Sequence, residues 1–218
     1  MRTLVIAPHP DDEVLRPGGT LFRRKSEGSN IAWLIITSME NNQSIMQGKV
    51  LRRQVEIEEV AKLLEFDEIY QFGYPTAKLD QIPLNELISN ITEVYTKFAP
   101  SEILIPFSGD IHTDHKLVNR ASISAAKWFR SPSINRILEY ETLSETNFGN
   151  SNHFEPNYYV DVSRYFESKL EALRIYTSEI DDHPFPRSID SLNSLAILRG
   201  SESGFRKAEA FHLFKEYV

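Results

Sequence analysis

The first strand of this chain runs directly into an unusual turn. Thr3-Leu-Val-Ile-Ala7 is a short apolar run with β-branched residues, the pattern of a buried strand. It passes at once into Pro8-His-Pro-Asp-Asp-Glu13, where a histidine and three carboxylates fall within five positions. Four such groups side by side repel and lose solvation unless positive charge sits among them. The two prolines stiffen the turn and keep a helix from starting early. A divalent metal held by His9 and Asp12 answers the charge problem; an exposed acidic turn is the plainer alternative.

Further strands alternate with helical patterns. Residues 31–36, 69–72, 103–105, 134–140 and 158–161 read as strands two to six. Helical spacing covers 20–27, 49–66, 83–98, 114–129, 163–180 and 188–198. In the second of these, Val50, Val55, Ile57, Val60, Ala61 and Leu64 gather on one side. Residues 41–48 and 142–156 are polar and read as loops, and 209–214 fits a strand or a helix end. Trp33 and Trp128 fall in apolar patterns and read as core.

Strands alternating with helices imply a mostly parallel sheet covered on both faces. Residues 1–218 are therefore expected to form a single α/β domain, a Rossmann-like three-layer α/β/α fold. Right-handed crossovers lay strands one to three outward in one direction. A fourth strand returning to the other side of the first creates a reversal, and ligands bind there beyond the carboxyl ends of the strands. The turn at 8–13 and the loop at 107–115 meet at that point.

The second loop carries its own cluster. Ser108-Gly-Asp-Ile-His-Thr-Asp-His115 holds two of the chain's six histidines, with Asp110 and Asp114 among them. The chain has no cysteine, so disulfides, thiol nucleophiles and thiolate metal sites are excluded, and any metal is held by nitrogen and oxygen. A catalytic zinc site uses three such ligands and keeps one position open. His9, Asp12 and one of the two loop histidines supply that set, and His115, anchored at the helix start, is the choice. Asp11 and His112 are then left free beside the metal, one carboxylate and one imidazole, as metal-assisted hydrolysis requires. His112 as a fourth ligand, and Asp11 as a support of the metal, are the competing roles.

These two motifs, Ala7-Pro-His-Pro-Asp-Asp-Glu-Val-Leu15 with Gly18-Gly-Thr20 and Asp110-Ile-His-Thr-Asp-His115, resemble the LmbE-like or PIG-L family of metal-dependent N-deacetylases, which act on N-acetylglucosamine-type sugar conjugates. Weaker echoes lie at Arg53 and Glu56, at Arg199-Gly200, and at Ala208-Glu-Ala-Phe211. The resemblance implies that His9, Asp12 and His115 bind zinc, with iron used by some members. It implies that Asp11 is the general base and that His112 is the acid or oxyanion stabiliser, oriented by Asp114. The substrate it implies is a small amino-sugar conjugate. The chain departs from the family pattern at Arg16-Pro17, at Thr37-Ser-Met39 and at Thr113; none of these removes a ligand, and the first two reshape the pocket rim.

Around this centre the readings divide. Arg53 sits beside Arg52 on a charged helix, either on a solvated face or against the sugar. Asp80 either contacts a sugar hydroxyl or shapes a turn. A net charge of −7 argues against a nucleic-acid backbone as partner, since that relies on clustered Lys and Arg. No apolar run reaches the roughly 18 residues of a membrane span, and the start is too short for a signal peptide, so a cytoplasmic protein is expected. A homo-oligomer fits the resemblance and the apolar residues of the later half. Two other functions compete: a metal-dependent phosphoesterase, which needs a second metal about 4 Å from the first, and an inactive sugar-binding module of the same fold.

Overall fold

The computed structural model describes residues 1–40, 46–149 and 153–218. Strands β1 (Arg2–Ala7), β2 (Asn30–Ser38), β3 (Glu68–Pro75), β4 (Glu102–Pro106), β5 (Arg136–Tyr140), β6 (Tyr158–Asp161) and β7 (Ala208–Glu216) form one sheet in the order β3-β2-β1-β4-β5-β7-β6. All neighbours from β3 across to β5 run parallel, and β7 lies antiparallel to both β5 and β6. The ambiguous segment at 209–214 is thus a strand. Helices are α1 (Asp12–Leu15), α2 (Gly18–Ser26), α3 (Gln47–Leu64), α4 (Leu84–Phe98), α5 (Thr113–Ala125), α6 (Phe166–Ile175) and α7 (Ile189–Ser203). The expected α/β architecture is present. Among the described residues no helix is long and apolar enough to cross a membrane.

β1 shows why the sheet is central. Leu4 and Ile6 join one core with Leu34, Ile91 and Val118, while Val5 and Ala7 join the other with Trp33, Val60 and Leu173. A parallel strand buried on both faces needs this uninterrupted apolar run. Because β2 lies on one side of β1 and β4 on the other, the chain direction of the crossovers reverses between them. The turn after β1 and the loop after β4 consequently open into one crevice.

Two expectations fail on packing. Trp128 is 66% exposed, because α5 stops at Ala125 and the tryptophan falls in the turn beyond it. Val55 is also exposed, since α3 turns Arg53 and Glu56 inward instead. The predicted loop at 41–48 lies largely outside the described residues, and α3 already begins at Gln47.

The segment carrying the first motif is anchored from behind. The buried Glu209 carboxylate on β7 accepts the Gly19 and Thr20 amides at 2.9 and 2.7 Å, the Thr20 hydroxyl at 2.7 Å, and Lys169 Nζ at 2.6 Å. Lys169 also donates to the Arg16 carbonyl at 2.9 Å. Gly19 fits against Val162 only without a side chain, since a Cβ there would sit 2.8 Å from Val162 Cβ. Replacing Glu209 with Ala strips the buried Lys169 of its counter-charge and is expected to cost about 3–5 kcal/mol. Urea unfolding midpoints check this, with Glu209→Gln, which retains an acceptor for the amides, losing less.

Candidate metal and catalytic site

The two loops place His9, Asp12 and His115 around one point. One nitrogen or carboxylate oxygen from each lies within 4.8 Å of the others. Asp12 Oδ2 is the hub: His9 Nδ1 stands 3.5 Å from it and His115 Nε2 3.4 Å, while the His9 amide donates to it at 3.0 Å. The far nitrogen of each ring is tied to another carboxylate. His9 Nε2 pairs with Asp114 Oδ2 at 3.0 Å, and His115 Nδ1 with Asp110 Oδ2 at 2.8 Å. An imidazole whose outer nitrogen is held by a carboxylate has its tautomer and orientation fixed for metal binding.

Charge follows from this packing. Burial opposes ionisation of Asp12, yet the adjoining His115 charge and the hydrogen bonds from both imidazoles hold its pKa well below the usual carboxylate range. Burial likewise opposes protonation of the imidazoles. Hydrogen bonds to Asp114 and Asp12 nonetheless raise His9 to about 9, and the Asp12 charge with the bond to Asp110 raises His115 to about 10. The pocket is therefore built to hold positive charge between two imidazoles and a carboxylate. That donor set, all nitrogen and oxygen with three protein ligands, fits a catalytic divalent ion such as zinc.

His9, His112 and Asp114 also come within 4.8 Å of one another. Asp114 is poorly suited to a metal there, because its carboxylate already accepts the Ala77 and Leu79 amides at 2.8 and 3.2 Å besides His9. The carboxylate thus orients His9. His112 is oriented by the Asp114 backbone instead, whose amide donates to His112 Nδ1 at 3.1 Å as the first turn of α5 is capped. With Nδ1 an acceptor, the neutral ring carries its proton on Nε2. Burial and the charges on His9 and His115 lower the His112 pKa to about 4, so the ring is neutral near pH 7.

Asp11 sits at φ 141°, a left-handed backbone that costs an aspartate about 1–3 kcal/mol and marks functional turns. Its amide donates to Glu13 Oε2 at 3.0 Å, and the other Glu13 oxygen accepts the buried Tyr176 hydroxyl at 2.7 Å. Burial, Asp12 and Glu179 raise the Asp11 carboxyl to about 7, against the pull of Arg187 and Arg53. Arg187 Nη1 reaches Asp11 Oδ2 at 3.2 Å and Glu179 Oε2 at 3.0 Å.

Arg53 is buried at 5% exposure, so the solvated-face reading fails. Its guanidinium donates to the Pro10 carbonyl and Glu179, meets Glu56 at 3.1 Å, and supports the first turn from below. Asp80 is exposed in a 3-10 turn, Leu79–Gln81, and does not line the cavity over the cluster. That cavity has a volume of about 280 Å³, and Asp11, Arg53, His112, Glu145, Glu179 and Arg187 contribute to its walls. Sequence reasoning missed Glu145, Glu179 and Arg187. The only signal for the last two was charge flanking the Pro184-Phe-Pro186 turn.

Fold and site together define a Rossmann-like α/β protein whose crevice carries a His–Asp–His set suited to a divalent ion. The family described as "PIG-L: GlcNAc-PI de-N-acetylase" matches residues 4–126, more than half of the chain, and the chain belongs to that family. A diacetylchitobiose deacetylase of Thermococcus kodakarensis is 28% identical over 95% of this chain and 81% of its own length. The N,N'-diacetylchitobiose deacetylase structure from Pyrococcus horikoshii superposes with a TM-score of 0.77 at 24% identity, covering 98% of this chain and 84% of that one. The 4-carboxy-2-hydroxymuconate hydratase GalB of Pseudomonas putida has the same fold, with a TM-score of 0.78, 17% identity, and coverage of 100% and 98%.

Asp110 does not line the cavity but holds His115. Substituting it with Ala is expected to weaken binding of a divalent ion about 10–100-fold, measured by calorimetric titration, with His115→Ala losing more.

Proposed function

We propose that this protein is a zinc-dependent hydrolase that removes the N-acetyl group from an N-acetylglucosamine-type sugar conjugate. The observation that carries the reading is the Asp12-centred cluster with Asp11 and a neutral His112 beside it. Family membership and the deacetylase relative support it. His9, Asp12 and His115 would hold the ion, which supplies a Lewis acid that polarises the acetyl carbonyl and acidifies the attacking water.

The chain's own residues do the rest. Arg187 anchors Asp11 Oδ2, and Oδ1 has no partner among the described residues. That oxygen is the general base, taking a proton from the water as its oxygen bonds to the acetyl carbon. That carboxyl accepts the proton and gives it back to the amine nitrogen as the carbon–nitrogen bond breaks. His112 Nε2–H donates to the oxyanion that develops on the carbonyl oxygen. Acetate and a free amino sugar leave.

A phosphoesterase with paired metals is not favoured. Among the described residues the second donor grouping shares His9 with the first and relies on the saturated Asp114. An inactive binding module is equally disfavoured, because every catalytic position is filled.

Zinc-loaded protein incubated with N-acetylglucosaminyl conjugates is expected to release equal amounts of amine and acetate. No release across a broad panel with metal bound would refute the proposal. Asp11→Asn is expected to lower kcat about 10²–10⁴-fold while retaining metal, whereas His9→Ala loses the ion; metal analysis alongside kinetics separates the two.

A further inference from the structure

Arg16, where the chain departs from the family pattern, does not line the catalytic cavity. It is 4% exposed and instead borders a second cavity, of about 30 Å³, together with Tyr140, Glu141, Lys169, Arg199 and Glu209. We propose that this cavity binds one small monovalent anion, a halide such as chloride, between the Arg16 guanidinium and the Lys169 ammonium. The volume admits a single particle of about a water's size, since one water takes up roughly 30 Å³ in the liquid. The site takes no part in the proposed deacetylation, and its occupancy does not depend on that reaction.

Two donors are left over at its walls. The buried Arg16 Nε–H has no partner among the described residues, while Nη2 donates to the Leu143 carbonyl at 2.8 Å. Lys169 has three N–H groups and uses two, on the Arg16 carbonyl at 2.9 Å and on Glu209 at 2.6 Å. Positive charge is left over as well. Arg199 takes both Glu141 oxygens at 2.8 Å and also meets Glu202 at 3.0 Å. Glu209 is filled by Lys169 and by the Gly19 and Thr20 donors. Of the three cations, only Arg16 has no ion pair with a described residue. Burial lowers its pKa to about 10, against the pull of Glu141 and Asp110, so the guanidinium is charged near pH 7. A buried charge is costly until one of opposite sign joins it.

A water would satisfy the donors without answering the charge. It would also bring two hydrogens to walls whose carboxylates are already engaged and whose Tyr140 hydroxyl donates to the Ile6 carbonyl at 2.8 Å. A halide only accepts, carries the missing charge, and tolerates the apolar contacts of Leu15, Leu192 and Phe211. Its place in the fold gives it an effect. Arg16 follows α1, the helix that begins at Asp12, Leu143 lies in the loop after β5, and Lys169 is on α6. An anion bound there braces the metal-site turn from behind, and by binding the native state alone it raises stability.

Bromide in place of chloride, in crystals of the full-length protein, is expected to give an anomalous peak in this cavity beside Arg16 Nε. In solution, unfolding midpoints are compared in sodium chloride and sodium gluconate at equal ionic strength. Chloride at about ten times its dissociation constant is expected to raise the midpoint roughly 3–6 °C above gluconate, with saturation. Arg16→Met removes the charge and the donor and is expected to abolish the difference. Ala196→Val, which narrows the cavity and leaves Arg16 and Lys169 in place, is expected to do the same and decides the matter if Arg16→Met does not fold. A cavity holding water only, equal midpoints in the two salts, or a chloride response that survives both substitutions overturns the inference. So does a bromide peak without any chloride-specific shift, which marks binding at crystal concentration only.

Discussion

The arrangement of this crevice rests on one buried carboxylate, Asp12, standing between two imidazoles that are each gripped from behind by another carboxylate. Buried charge is tolerated only when paired and hydrogen-bonded. Here the pairing is complete: Asp114 holds one ring, Asp110 the other, and Asp12 faces the free nitrogen of each. Losing any one of these carboxylates would leave an imidazole free to rotate. The rest of the chain supplies the means of holding those carboxylates still. Asp114 is fixed by amides following β3, and Asp110 by Thr146 from the loop after β5. Strands at both sides of the topological reversal therefore contribute to one ligand geometry.

A second layer of pairing governs Asp11. Its backbone lies in a strained region, and strain of that kind persists only where surroundings over-determine it. Glu13 holds its amide, Arg187 its carboxylate, and Arg53 the carbonyl one residue earlier. Glu179 joins the two arginines, so the turn after β1 is braced by the segment between α6 and α7. This bracing explains why α3 buries Arg53 and Glu56 at positions where an ordinary amphipathic helix would bury leucine or valine.

That inversion also explains what could be read from the sequence and what could not. The sheet was legible because a β-branched run buried on both faces has few other uses, and because helical spacing separated each run from the next. His9, Asp12 and His115 were legible because chemistry-bearing residues crowded two short loops whose meeting the topology dictates. In α3 the apolar pattern points to Val55 and leaves Arg53 open, since the helix's inner face serves a site and breaks the pattern there. Around Trp128 the apolar spacing runs past the point where α5 ends, so the pattern points inward where the chain does not. Arg187 and Glu179 are isolated charges in a turn, brought to Asp11 only by tertiary packing that no local pattern encodes.

The hydratase with the same fold makes clear that this scaffold does not decide the reaction by itself. The scaffold provides a crevice; the residues placed around it decide the chemistry. With no cysteine in the chain, the proposed ligands are two imidazoles and one carboxylate. Neutral imidazoles cancel none of a divalent ion's charge, and Asp12 cancels only half, so the donor set leaves net positive charge at the centre. Four thiolates would instead leave it negative and closed, as in structural sites. A centre that keeps positive charge attracts a carbonyl oxygen, and the Asp11 carboxylate beside it is placed to carry the proton. Composition, one buried carboxylate and the strained Asp11 turn therefore fit the proposed hydrolysis of an amide.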